Sequence, residues 1–190
     1  MSRLLFSDLL AEVQKQAPGS VTEDRLFDLV RRLVVDSTLL APHIRFSSET
    51  YTRSTLYRDD HFEAICLCWL PGQGTPVHNH GRSYGVIVPW EGHLACTGFR
   101  RVDDGAVAGF ATLEAVSLMV AAPGSVLLDR VGSIHRLHNP PDYEKPAVSL
   151  HFYAGPLDWM DVFNLETSAI EKRPMQGEPV CATASNPFPS

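Results

Sequence analysis

The sequence predicts a mainly β protein: an antiparallel, jelly-roll-like barrel with a pair of helices packed on its outside. Three observations carry that expectation. From about residue 44, short apolar stretches recur at 63–70, 84–90, 93–99, 114–121, 125–130 and 147–153. Turn-forming clusters separate them, Glu91-Gly92 and Asp103-Asp104-Gly105 among them, and no helical period intervenes. Helical spacing is confined to residues 1–42, ahead of the β region. At 190 residues the chain suits one domain with a real core. The expected layout is a single domain over 1–190, with helices in 1–42, a barrel in 44–165 and an extended tail over 171–190.

In chain order, Leu4, Leu5, Leu9, Leu10 and Val13 recur as one face of a helix that Pro18-Gly19 stops. Ser20-Val21-Thr22-Glu23 has the form of a capping box, whose hydroxyl and carboxylate satisfy free amides at a helix start. Behind it Leu26, Val30, Leu33 and Val34 form a second apolar stripe ending before Pro42. Both stripes are expected to cover the outside of the β domain. The tail carries Pro174, Gly177, Pro179, Pro187 and Pro189, which suits an extended segment.

Composition removes several functions. A formal charge of -6 with no basic cluster argues against a nucleic-acid partner. The longest apolar runs, such as Val126-Leu127-Leu128, are too short to span a membrane. The start of the chain lacks the apolar region of a secretion signal, so a cytoplasmic location is expected. Cys66, Cys68, Cys96 and Cys181 are then expected to be reduced. A Cys-x-Cys zinc clasp at Cys66 and Cys68 lacks a second pair to complete it, and buried inert thiols are the expectation.

Two half-motifs carry the chemistry. The first is Gly72, five residues, His78-Asn79-His80, and later Gly92. The second is Gly124, five residues, Arg130-Val131-Gly132, two residues, His135, three residues, Asn139. On an extended segment His78 and His80 face the same way, so a third imidazole from an opposed strand makes a facial site. Imidazoles suit iron, zinc, copper or nickel, and three of them also make a hydrolytic zinc site. His43, His61, His93 and His138 lack that register and are read as surface or structural. In Ser149-Leu150-His151-Phe152-Tyr153, a hydroxyl, an imidazole and a phenol share one side of a strand, as in a core network or a proton relay. Tyr51 and Arg53 likewise share a side, and a guanidinium fork suits a carboxylate.

The two half-motifs resemble those of the cupin superfamily, small metal-binding β-barrels. Cupins usually add a glutamate four or five residues after the second histidine, where this chain has Tyr84 and Gly85. Together with Tyr51-Thr52-Arg53, Ile65-Cys66-Leu67-Cys68-Trp69, Gly132-Ser133-Ile134-His135-Arg136 and Ser149–Tyr153, they resemble the thiol dioxygenases, most of all bacterial cysteine dioxygenase. The similarity spans roughly residues 44 to 165.

The resemblance implies a cupin barrel with one ferrous ion, Fe(2+), per chain on His78, His80 and His135. It implies a relay of Ser149, His151 and Tyr153, and substrate binding by Arg53, Tyr51 and Tyr153. Its implied activity is oxidation of a small-molecule thiol by O2 to the sulfinic acid. Arginine at position 53, with no arginine in Ala154–Met160, favours L-cysteine. A dioxygenase for 3-mercaptopropionate or another mercapto acid such as mercaptosuccinate is the first rival. A zinc cupin hydrolase or isomerase and a non-catalytic ligand-binding cupin are the others. The animal enzymes carry a cysteine, crosslinked to the relay tyrosine, where this chain has Gly85, so Tyr153 is expected to stay an unmodified phenol. Arg82-Ser83-Tyr84 also differs, and the sequence leaves the roles of Arg82 and Tyr84 in the pocket open. The sequence leaves the oligomeric state open.

Overall fold

A computed structural model describes residues 3–175. The chain opens with β1 (Leu4–Leu5), α1 (Phe6–Gln14), α2 (Glu23–Val30), β2 (Leu33–Val34), α3 (Ser37–Leu40) and a 3-10 turn at Ala41–His43. The barrel strands follow: β3 (Thr52–Arg58), β4 (Phe62–Trp69), β5 (Val77–Asn79), β6 (Gly85–Glu91), β7 (Leu94–Arg101) and β8 (Leu113–Ala121). It is completed by β9 (Leu127–Asp129), β10 (Ile134–His138), β11 (Ala147–Ala154), β12 (Trp159–Phe163) and β13 (Ile170–Pro174). They form a six-stranded sheet in the order β13-β12-β5-β10-β7-β8 and a five-stranded sheet in the order β3-β4-β11-β6-β9, all antiparallel. This is the mainly β, cupin-type architecture that the half-motifs imply.

Alternation along β4 and β11 explains the layering. Every residue of β4 is buried, so both of its faces are covered. Phe62, Ala64, Cys66 and Cys68 join Leu150 and Phe152 in a cluster with Leu9, Val13, Leu26 and Leu29. That cluster lies outside the barrel and is roofed by α1 and α2. Ile65, Leu67 and Trp69 join Ile87, Leu127, Leu137 and Tyr153 in a second cluster, inside it. Leu9, Leu26 and Leu29 are completely buried, and each contributes roughly 1.5–3 kcal/mol relative to exposure.

The helical region departs from the sequence reading in three places. Leu4 and Leu5 are not helical; they pair in parallel with Leu33 and Val34 as a two-residue ribbon. The second stripe therefore ends as a helix at Val30, and Leu33 and Val34 belong to a strand. The cap is Thr22, whose hydroxyl accepts from the Arg25 amide at 3.2 Å, whereas the Ser20 hydroxyl donates back to the Ala17 carbonyl. Threonine wins because it stands directly before the first helical residue, where its oxygen meets the free amides.

Residues 171–174 of the expected tail are strand, paired with β12, and the tail beyond residue 175 lies outside the described residues. The motif's Asn139 is structural: its side-chain amide donates to the Trp69 carbonyl at 3.2 Å and to the Lys145 carbonyl at 2.7 Å. Gly92 turns with φ +71°, and a side chain there would meet the Pro146 carbonyl at 2.5 Å.

Candidate metal centre

His78 on β5 is the register partner of His135 on β10, so the two half-motifs meet on adjacent strands of one sheet. His80 follows His78 on the same face. The three ring centroids lie 4.5, 4.7 and 5.2 Å apart, and each residue offers a nitrogen within 4.8 Å of the others. No other such group of His, Cys, Asp or Glu occurs among the described residues. Cys66 and Cys68 face the helices rather than the histidines and form no zinc clasp. Nor do they form a disulfide: both are free, as is Cys96, while Cys181 lies outside the described residues.

Hydrogen bonds fix which nitrogen each ring presents. His78 donates from Nδ1 to the Pro76 carbonyl at 2.9 Å. The Nδ1 of His80 meets Asp129 Oδ2 at 2.5 Å, and the Nδ1 of His135 lies 3.5 Å from Asp129 Oδ1. The outward nitrogens are thereby engaged, leaving the Nε2 lone pairs to converge. His135 Nε2 is fully buried and has no hydrogen-bond partner. A buried acceptor without a partner is costly, and a metal ion is the species that satisfies it.

Charge agrees with geometry. Burial holds His78 at about 3 and His80 at about 4, and burial holds His135 at about 3 despite Asp129 beside it. All three are neutral ligands at pH 7 without first losing a proton. Asp129 is itself pushed up to about 6 by burial. It touches only the outer nitrogens and stands behind the ligands rather than among them.

The opposing sheet presents the polar groups. Ser149, His151 and Tyr153 share the interior face of β11. Trp69 Nε1 donates to Ser149 Oγ at 2.9 Å, Ser149 Oγ lies 2.8 Å from His151 Nε2, and His151 Nδ1 lies 3.3 Å from the Tyr153 hydroxyl. An indole can only donate, so it takes one of the two lone pairs of the serine oxygen and leaves the hydroxyl proton for another acceptor. With that proton given to His151 Nε2, the imidazole carries its own on Nδ1, donates to the phenol oxygen, and frees the Tyr153 O–H to donate into the cavity. Burial keeps His151 well below its ordinary range and Tyr153 well above its own, so both stay neutral. The Tyr153 ring lies 5.2 Å from that of His80, edge to face, which puts the relay's end beside the histidines.

Tyr153 occupies that place because Gly85, its register partner on β6, has no side chain. A Cβ there would lie 2.5 Å from Tyr153 Cδ1 and 2.6 Å from Cε1. Tyr84, by contrast, packs against the outer, helix-covered cluster, and Arg82 is exposed. Tyr84 stands off the interior because a residue next to Gly85 along an extended chain points to the opposite face.

Tyr51 is buried and stacks on Trp69 with centroids 4.6 Å apart; burial pushes its phenol up to about 12. Arg53 is already paired with a carboxylate of the chain. Its Nη2 donates to Glu63 Oε1, and Arg58 Nη1 reaches the same oxygen at 3.1 Å. Glu63 Oε2 accepts from the Leu157 amide at 3.0 Å. Arg53 Nε, also buried, has no hydrogen-bond partner. Glu63, Asp129 and the Trp69 indole are the site groups that sequence reading missed. Glu63 carried a signal: it is the one charged residue in Phe62–Trp69.

Human cysteine dioxygenase type 1 is 29% identical over 133 residues, covering 70% of this chain and 64% of its own length. The zebrafish (Danio rerio) protein of the same name is 28% identical over 124 residues, covering 65% of this chain and 60% of its own. The chain thus spans less than two thirds of the length of these relatives. Among solved structures, a Thermus thermophilus protein aligns with a TM-score of 0.49 at 21% identity, over 61% of this chain and 93% of its own. A Klebsiella pneumoniae protein with a double-stranded β-helix domain aligns with a TM-score of 0.49 at 13% identity, over 65% of this chain and 92% of its own. The family model described as cysteine dioxygenase type I matches residues 8–166, histidines and relay included, and the chain belongs to that family.

Proposed function

We propose that the chain is a non-haem iron(II) thiol dioxygenase that converts a small carboxylate-bearing thiol, L-cysteine first, to its sulfinic acid. The observation that carries the reading is the facing of two sets of groups across one interior. Three neutral imidazoles on one sheet each offer a nitrogen within 4.8 Å of the others, and the Nε2 of His135 is buried without a partner. A proton donor and a guanidinium point inward from the other. A hydrolytic zinc site has no evident use for a phenol kept neutral at the end of a fixed hydrogen-bond chain. Family membership supports iron and O2 as the partners.

The ferrous ion would supply acidification of the bound thiol and activation of O2. The chain's own residues do the rest. Arg53 would take the substrate carboxylate on its free Nε edge and fix where the sulfur lies. Tyr153 would donate its O–H into the cavity, with His151, Ser149 and Trp69 holding that donor in orientation. The inner apolar cluster keeps bulk water from the reacting atoms. The net change joins both oxygen atoms of O2 to the thiolate sulfur, giving the sulfinate with no outside reductant.

The test is anaerobic loading with iron(II), addition of L-cysteine and isotopically labelled O2, and mass analysis of the product. Sulfinate carrying two labelled atoms is expected. Disulfide alone, or equal turnover with zinc in place of iron, would overturn the reading.

A further inference from the structure

We infer that Glu63 sets which thiol acids Arg53 accepts, favouring a carboxylate accompanied by an α-amino group over thiols whose only charge is negative. This rests on the reading of Arg53 as the carboxylate clamp and extends it to a residue with no assigned part.

Glu63 is the register partner of Tyr153, so its side chain shares the interior face with the relay. It is completely buried, whereas Arg53 and Arg58 retain 14% and 27% side-chain exposure. A buried carboxylate needs partners, and Glu63 has three: Arg53, Arg58 and the Leu157 amide. Arg58 is in turn held at its other end by Asp158 at 2.5 Å. Glu63 therefore grips one end of the Arg53 fork while the Nε edge stays unpaired.

That arrangement places a fixed negative charge beside the position a substrate carboxylate would take. Carboxylate and α-amino group feel that charge with opposite sign. In cysteine the two effects largely offset, and in 3-mercaptopropionate the repulsion stands alone. The discrimination acts by repelling the wrong ligand rather than by adding a contact to the right one. In an enclosed pocket a like charge a few ångströms away is worth on the order of tenfold in binding or more.

The test compares wild type, Glu63→Gln and Arg58→Gln as iron-loaded proteins, measuring kcat and KM for cysteine, 3-mercaptopropionate and cysteamine by O2 uptake. Glutamine keeps the size and the acceptor oxygen, so Arg53 remains held while the charge goes. Glu63→Gln is expected to lower KM for 3-mercaptopropionate on the order of tenfold relative to cysteine, with kcat little changed. Arg58→Gln, which strips Glu63 of a shared cation, is expected to move the ratio the other way. If Glu63→Gln fails to fold, the sign of the Arg58→Gln shift decides alone. A preference unchanged in either folded variant, shifts of the same sign in both, or an equal slowing on all three thiols would overturn the inference. A wild type inactive on every thiol removes the dioxygenase reading itself, which is a distinct result.

Discussion

Gly85→Ala tests whether the Tyr153 relay depends on an empty position across the sheet. The added methyl would stand 2.5 and 2.6 Å from two carbons of the Tyr153 ring and 3.0 Å from the Phe152 carbonyl oxygen. Ordinary carbon contacts lie near 3.5–4.0 Å, so the ring has to retreat by about 1 Å. It cannot swing out to solvent, because Tyr153 is only 3% exposed and packed inside the barrel. The Tyr153 hydroxyl already sits 3.3 Å from His151 Nδ1, and a displacement of that size carries it out of hydrogen-bond range. Overpacking of this kind costs about 1–3 kcal/mol. For a chain of this length that lowers Tm by roughly 2–12 °C. Loss of a positioned proton donor should cut turnover on the order of 100-fold. Iron content should hold, since all three histidines belong to the other sheet. Differential scanning calorimetry, metal analysis and cysteine-dependent O2 uptake read the three effects. An unchanged Tm with unchanged turnover, or a variant crystal structure with the Tyr153 hydroxyl still bonded to His151, would refute the reasoning.

Asp129→Asn should weaken iron(II) binding about 10- to 100-fold, because it loosens the orientation of His80 and His135 together; competition with a chromogenic chelator reads it. His135→Ala should abolish stoichiometric metal binding, and retained metal would remove it from the ligand set. Arg53→Gln should raise KM for cysteine tens-fold or more while sparing cysteamine, which has no carboxylate; equal effects on both would end the clamp assignment. Acid should destabilise the metal-free protein. His78, His80 and His135 sit at about 3, 4 and 3 in the fold against an ordinary 6.5, so the unfolded chain takes up protons the native state refuses. Their contribution is intact above pH 6.5 and is lost as pH falls toward 3. Asp129, raised to about 6, acts in the opposite sense between about 4 and 6, one group against three. The urea midpoint in chelator should therefore drop between pH 7 and pH 4.5, and a flat midpoint would contradict the assignment.

The parts of this fold legible in the sequence are those set by neighbours along the chain. The apolar stretches read at 63–70 and 147–153 are local signals, and they marked both strands to within a residue. Leu4-Leu5 and Leu33-Val34 read as helix because their apolar spacing fits one, and only their pairing with each other makes them strand. The strands Trp159–Phe163 and Ile170–Pro174 escaped notice for the same reason. Ile170–Pro174 is a polar, largely exposed edge strand held by ladder bonds, whereas Trp159–Phe163 is mostly apolar, lies between it and β5, and buries Val162 and Phe163.

The candidate site divides along the same line, and the division matters for its chemistry. The three histidines stand out because two lie two residues apart in one segment and the third follows a glycine turn at fixed distance. The missing motif glutamate led to the expectation of a site without carboxylates, and for groups facing the Nε2 cluster that describes the geometry. Yet two buried carboxylates govern its charge. Asp129 reaches the back of two imidazoles from β9, and Glu63 reaches the clamp arginine along the opposing sheet. Neither is placed by spacing; each arrives through the register of strands distant in sequence. A cupin that gives up its carboxylate ligand has not given up anionic control. It has moved that control outward by one layer, to positions where substitution can retune metal affinity or substrate choice without disturbing the ligands themselves.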